Sequence, residues 1–97
     1  MEQGTVIVSC DVYMSWSGEP PTYRLYVGDE LFTERTWIWT HQYLHEVFAV
    51  TAPYGSYSIN YQLLPHPNAA IKIKNLTVDS GQGRIRKHSR LEIHDGQ

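Results

Sequence analysis

An all-β fold, a small antiparallel β-sandwich of jelly-roll-like kind forming a single domain, is what this 97-residue sequence predicts. Three observations carry that prediction. Apolar residues recur with period two in at least six separate runs, the spacing that places them on one face of a strand. Glycine, proline, serine and asparagine break the runs at short intervals, as turns do in an all-β domain. The large side chains are mostly amphipathic rings, three Trp and seven Tyr against two Phe, which suit half-buried sheet faces and interfaces.

Taken in order, Val6, Val8, Cys10 and Val12 share one face of a first strand, and Thr5, Ile7, Ser9, Asp11 and Tyr13 share the other. Ser17-Gly18-Glu19-Pro20-Pro21 ends it, because proline fixes φ and donates no backbone hydrogen bond. Tyr23, Leu25 and Val27 then alternate with Arg24 and Tyr26, and Gly28-Asp29 follows at once. Glycine at the first central position marks a two-residue type II′ hairpin, whose return strand should run from Glu30 to about Trp37.

The stretch from Thr36 to Val50 has two readings. Trp37, His41, Leu44 and Phe48 fit one helical stripe, but the crowd of aromatic and β-branched residues and the missing caps favour two strand pieces joined near Thr40-His41. Ala52-Pro53-Tyr54-Gly55 supplies a turn, and Tyr57, Ile59, Tyr61 and Leu63 alternate against Ser56, Ser58, Asn60 and Gln62. After the Pro65-His66-Pro67-Asn68 loop, Ile71 and Ile73 keep one phase and Leu76 and Val78 the other, which places a bulge near Lys74-Asn75. Ser80-Gly81-Gln82-Gly83 is a turn. The last run, from Arg84 to His94, is mostly polar and reads as a basic C-terminal edge strand or arm, residues 84–97, on a sandwich of residues 1–83.

Net charge is −2, but residues 1–69 hold seven acidic and two basic residues, and residues 70–97 hold six basic and three acidic. Arg84, Arg86, Lys87 and Arg90 concentrate the positive charge; a solvated face is the default reading of such a cluster, and a docking patch for an acidic partner surface is the sharper alternative. Nucleic acid is not the expected partner, because the basic run lacks interleaved rings for stacking on bases. No run of residues is long and apolar enough to span a bilayer, and the first residues lack the pattern of a signal peptide, so a soluble protein made in a cytoplasm is expected.

No catalytic constellation stands out, and no enzyme and no cofactor are expected. The single cysteine, Cys10, lies in an apolar phase and reads as a buried, inert thiol. His41 and His45 on a strand would stand about 13 Å apart, too far to share a metal. Asp11, Glu34, Glu46 and Asp79 are the carboxylates that folding could bring together for acid–base work, but nothing in the sequence selects a pair. Asn75-Leu76-Thr77 fits an N-glycosylation acceptor but is better accounted for as bulge polarity.

Residues 22–79, with YRLYVGDELFTERTW, PYGSYSI and IKIKNLTVDS, resemble small jelly-roll carbohydrate-binding modules that bind xylan with calcium. The closing match is Asn75, Leu76, Val78 and Asp79; Ala69 stands where those modules carry an acidic residue after Asn68, which argues against a transferred calcium site. The same passage is similar to small β-sandwich structural proteins, decoration or cement pieces, of tailed phages of marine bacteria. The absence of a companion enzyme domain favours the second resemblance. It implies a virion structural protein, made in the host cytoplasm, that joins a capsid or other virion protein in a multimeric assembly; a glycan is the alternative partner. Trp16, Trp39, Tyr54, Arg84, Arg86, Lys87 and Arg90 are the candidate contact residues, since interfaces favour Trp, Tyr and Arg.

Overall fold

The computed structural model of the chain describes residues 2–38 and 43–94. Eight strands follow one another: β1 Gln3–Trp16, β2 Thr22–Val27, β3 Glu30–Thr36, β4 Tyr43–Pro53, β5 Gly55–Leu63, β6 Ala69–Gly81, β7 Gly83–Arg86 and β8 Arg90–Ile93. They form two antiparallel sheets packed face to face, β4-β1-β6 and β3-β2-β5-β8-β7, and no helix occurs among the described residues. The molecule is long and narrow, 49 × 21 × 20 Å. One strand sets that length: at about 3.3 Å per residue, fourteen-residue β1 spans about 46 Å.

The chain passes from one sheet to the other after β1, β3, β4, β5 and β6, and two of these crossings match, those after β1 and after β4. Because β1 pairs with β4 in one sheet and β2 with β5 in the other, the crossings interlock the layers. Pro20 and Pro21 make the first, and the carbonyl of Pro21 accepts a hydrogen bond from the Trp37 amide at 2.8 Å. The second consists of little more than Tyr54.

Period two is obeyed closely. Val6, Val8, Cys10, Val12 and Met14 of β1 are all sealed inside. The β2–β3 hairpin pairs Val27 with Glu30 and leaves Gly28-Asp29 as the loop; Gly28 has φ +61° and Asp29 a negative φ, the type II′ pattern. Residues Tyr43 to Val50 are strand, with Leu44, Glu46, Phe48 and Val50 turned inward, so the helical stripe is not formed there. The join proposed at Thr40-His41 lies outside the described residues.

The bulge near Lys74-Asn75 is present. Ser9 pairs with Thr77 and Asp11 with Lys74, leaving an extra residue on β6 where Asn75 adopts φ +56°. A second shift, between Ile7 and Val8, precedes the turn. There Gly81 takes φ +94°, and a Cβ on it would strike the carbonyl oxygen of Thr5. Only glycine fits that close approach of β6 to β1.

The C-terminal run differs from its sequence reading. Arg84 to His94 is two strands rather than one, folded at Lys87-His88-Ser89 with His88 and Ser89 at positive φ. No glycine, proline or asparagine marks that turn, which is why composition did not reveal it. β7 is an edge strand, but β8 lies inside the sheet between β5 and β7, and Leu91 and Ile93 are buried in the core. The segment is therefore not a projecting arm: two apolar side chains are enough to anchor a strand when both point inward.

The interior divides into two groups along β1. Val6, Val8, Leu25, Val27, Val50, Ile59, Leu91 and Ile93 form an aliphatic cluster at one end. Cys10, Val12, Met14, Tyr23 and Trp37 form the other, with Tyr61 and Leu76 packed against both.

Candidate interaction surfaces

Glu46 is the charged side chain that the fold buries among the described residues, at 5% exposure on the inward phase of β4. Its Oε1 accepts from the Tyr61 hydroxyl at 2.7 Å, and its Oε2 accepts from Arg35 Nη2 at 3.0 Å and from the Tyr23 hydroxyl at 3.3 Å. Arg35 Nε also donates to Tyr23 at 3.1 Å. Since Tyr61 spends its proton on Glu46, the Cys10 thiol 3.1 Å away is the donor to Tyr61. Burial pushes the thiol and both phenols above their ordinary values. Every strand from β1 to β5 contributes one residue to this cluster, and no buried side-chain polar atom among the described residues lacks a partner. A buried carboxylate that accepts from three strands ties the sheets together.

Asp11 is on the opposite face of the same sheet, at the centre of a second network. Its Oδ1 accepts from the Tyr43 hydroxyl at 3.0 Å and meets His45 Nδ1 at 2.9 Å; its Oδ2 accepts from Asn75 Nδ2 at 2.6 Å. The bonds from Asn75 and His45 hold its carboxyl below the ordinary range. Tyr43 tilts against Tyr13 with ring centroids 5.2 Å apart, and the Lys74 ammonium sits 5.4 Å from the Tyr13 ring centre. Val47, 55% exposed, continues this face. The β6 bulge is what turns Asn75 toward Asp11 across 64 residues of sequence.

The basic residues gather on the outward face of the β7–β8 hairpin. In its register Arg84 faces Glu92 and Arg86 faces Arg90, while Ile85, Leu91 and Ile93 point to the interior. Arg84 Nε contacts Glu92 Oε1 at 2.9 Å, and Arg86 Nη1 lies 3.8 Å from Glu92 Oε2. Arg84 is the main reason the Glu92 carboxyl is held below its usual range. One carboxylate thus faces three guanidiniums, and Lys87 adds a fourth cation in the turn. Like charges directly opposite on neighbouring strands repel, so Arg86 and Arg90 carry a cost that Glu92, shared with Arg84, offsets only in part.

Among the other contact candidates, Tyr54 is 40% exposed at the β4–β5 corner. Gly55 pairs with Ile93 and Ile93 with Gly83, which sets Tyr54 two strands from the Arg84 end of the hairpin. Trp16 is half-buried against the aromatic core group and stands apart from that corner. Trp39 lies outside the described residues. The carboxylates considered for acid–base chemistry are dispersed: Asp11 and Glu46 occupy opposite faces of β1-β4, and Glu34 is bound to Arg24 at 2.6 Å.

Sequence reasoning missed both polar networks. For Glu46 a signal existed, a carboxylate in the inward phase of Leu44, Phe48 and Val50. For Asp11 the only hint was the phase flip beside Asn75. No family model, curated protein or solved structure matches this chain.

Proposed function

We propose that this chain is a non-enzymatic structural protein of a virion, a capsid decoration or cement subunit acting through protein–protein contacts in a multimeric assembly. Its place is the virion, reached from the host cytoplasm. The virion setting comes from the resemblance of residues 22–79; the observation that carries the contact is the cationic corner of Arg84, Arg86, Lys87 and Arg90, with Glu92 alone set against it. An acidic surface on the shell would relieve the repulsion between Arg86 and Arg90, and charge complementarity of this kind sets encounter rate and register. Tyr54, two strands away at the β4–β5 corner, is an exposed amphipathic ring of the type interfaces favour.

Replacing Arg84, Arg86, Lys87 and Arg90 together by Ser tests the reading by co-sedimentation with the virus particle. Attachment at low salt should weaken about tenfold or more, and the melting temperature should stay within a few degrees, because all four side chains are exposed. Undiminished attachment would leave the cluster as a solvated face.

A second reading, a carbohydrate-binding module, is favoured by one observation. Tyr13 and Tyr43 form a ring platform beside the fixed polar groups of Asp11, Asn75 and His45. Retention on a xylan or other glycan column, lost in Tyr43→Ala, would place it above the first.

A further inference from the structure

We infer that β7 is an open docking edge that takes up an acidic, extended segment of a partner as an added strand of the five-stranded sheet. This deepens the assembly reading above by naming the form of the partner as well as its charge. β7 closes the order β3-β2-β5-β8-β7, and among the described residues β8 is its only strand neighbour. Its outer side therefore offers a row of backbone donors and acceptors to an incoming chain.

Side-chain placement says what that chain should look like. Arg84 and Arg86 stand two residues apart on the outward face, with half-buried Ile85 between them turned to the interior. Side chains directly opposite on paired strands have Cβ atoms about 4.5–5.5 Å apart, close enough for a carboxylate to meet each guanidinium. The complementary segment reads acid, apolar, acid. It would supply the anions that Glu92 cannot, being held by Arg84 and only approached by Arg86.

The opposite edge of the same sheet makes the contrast. β3 carries Glu34, already neutralised by Arg24 at 2.6 Å, and has no comparable excess of one sign. Short, basic edge strands also serve as guards against unwanted pairing, and a guard gives the opposite result in the experiment.

A short fluorescent peptide alternating Glu and Val is titrated into the intact chain at low salt and followed by anisotropy. Binding is expected, weakened by added salt, together with slowed amide exchange within Gly83–Arg86. The same peptide N-methylated at its pairing amides keeps the charge and loses the hydrogen bonds; it should bind about tenfold or more weakly. Arg84→Ser with Arg86→Ser should weaken the parent peptide by about tenfold as well, with an unchanged melting curve confirming the fold. Equal binding of the methylated peptide, or no binding at all, overturns strand addition. If either occurs while particle attachment still needs the four basic residues, the assembly reading stands without it. If the peptide binds as described but attachment ignores those residues, the assembly reading fails and the docking edge stands.

Discussion

Along the inner face of β1, Val6 and Val8 enter a cluster whose buried members are all aliphatic, whereas Cys10, Val12 and Met14 enter one built around Tyr23 and Trp37. The first end draws its buried residues from β1, β2, β4, β5 and β8, and none of them carries a polar side-chain atom to satisfy. The second adjoins Glu46, whose carboxylate needs Tyr61, Arg35 and Tyr23 as donors. One end is thus held by apolar burial, which tolerates loss of shape in proportion to the volume removed. The other is held by a polar network in which removal of one member leaves the rest unpaired, so its failures should be abrupt and should depend on pH.

The largest effect is expected at the aliphatic end. Truncation after Gly83 removes Leu91 and Ile93 and exposes one side of β5; each lost side chain is worth about 2–5 kcal/mol, against a total domain stability of about 5–15 kcal/mol. The truncated chain should show no cooperative melting transition by circular dichroism. A sharp transition would mean that β8 only caps the aliphatic cluster.

Next comes Glu46→Ala, which leaves a buried phenol, a half-buried one and a half-exposed guanidinium without their acceptor. A loss of about 3 kcal/mol is expected, measured by urea denaturation, with Glu46→Gln losing less because one acceptor oxygen remains. If Glu46→Ala matches the parent, the network contributes orientation of the sheets and not stability.

The smallest effect separates the ends by their response to pH. Cys10, Tyr23 and Tyr61 hold their protons more tightly in the folded chain than in the unfolded one, chiefly because burial disfavours the charged forms. Their contribution is complete below the ordinary thiol value and is lost as pH rises from there toward the raised folded values. Melting temperature should therefore decline through the alkaline range, and the decline should shrink in Tyr61→Phe. The aliphatic cluster offers nothing to titrate, so an unchanged slope in Tyr61→Phe would detach the effect from the polar end.

Period two along β1, β2 and β5, the type II′ turn at Gly28-Asp29 and the phase flip beside Asn75 were all legible in the chain itself. Each depends only on where successive side chains point and on the φ that a turn residue accepts, and those are properties of neighbours in sequence. Which strands become neighbours in space was decided by the tertiary structure. It placed β8 inside a sheet by burying two side chains of a polar run, set Arg86 opposite Arg90, and closed Asp11 with Asn75 across 64 residues. It also put Glu46 among donors from three other strands. A strand's alternation records which face is apolar but not what will cover it, because register and pairing are selected by long-range burial and by the need to satisfy every buried polar group at once.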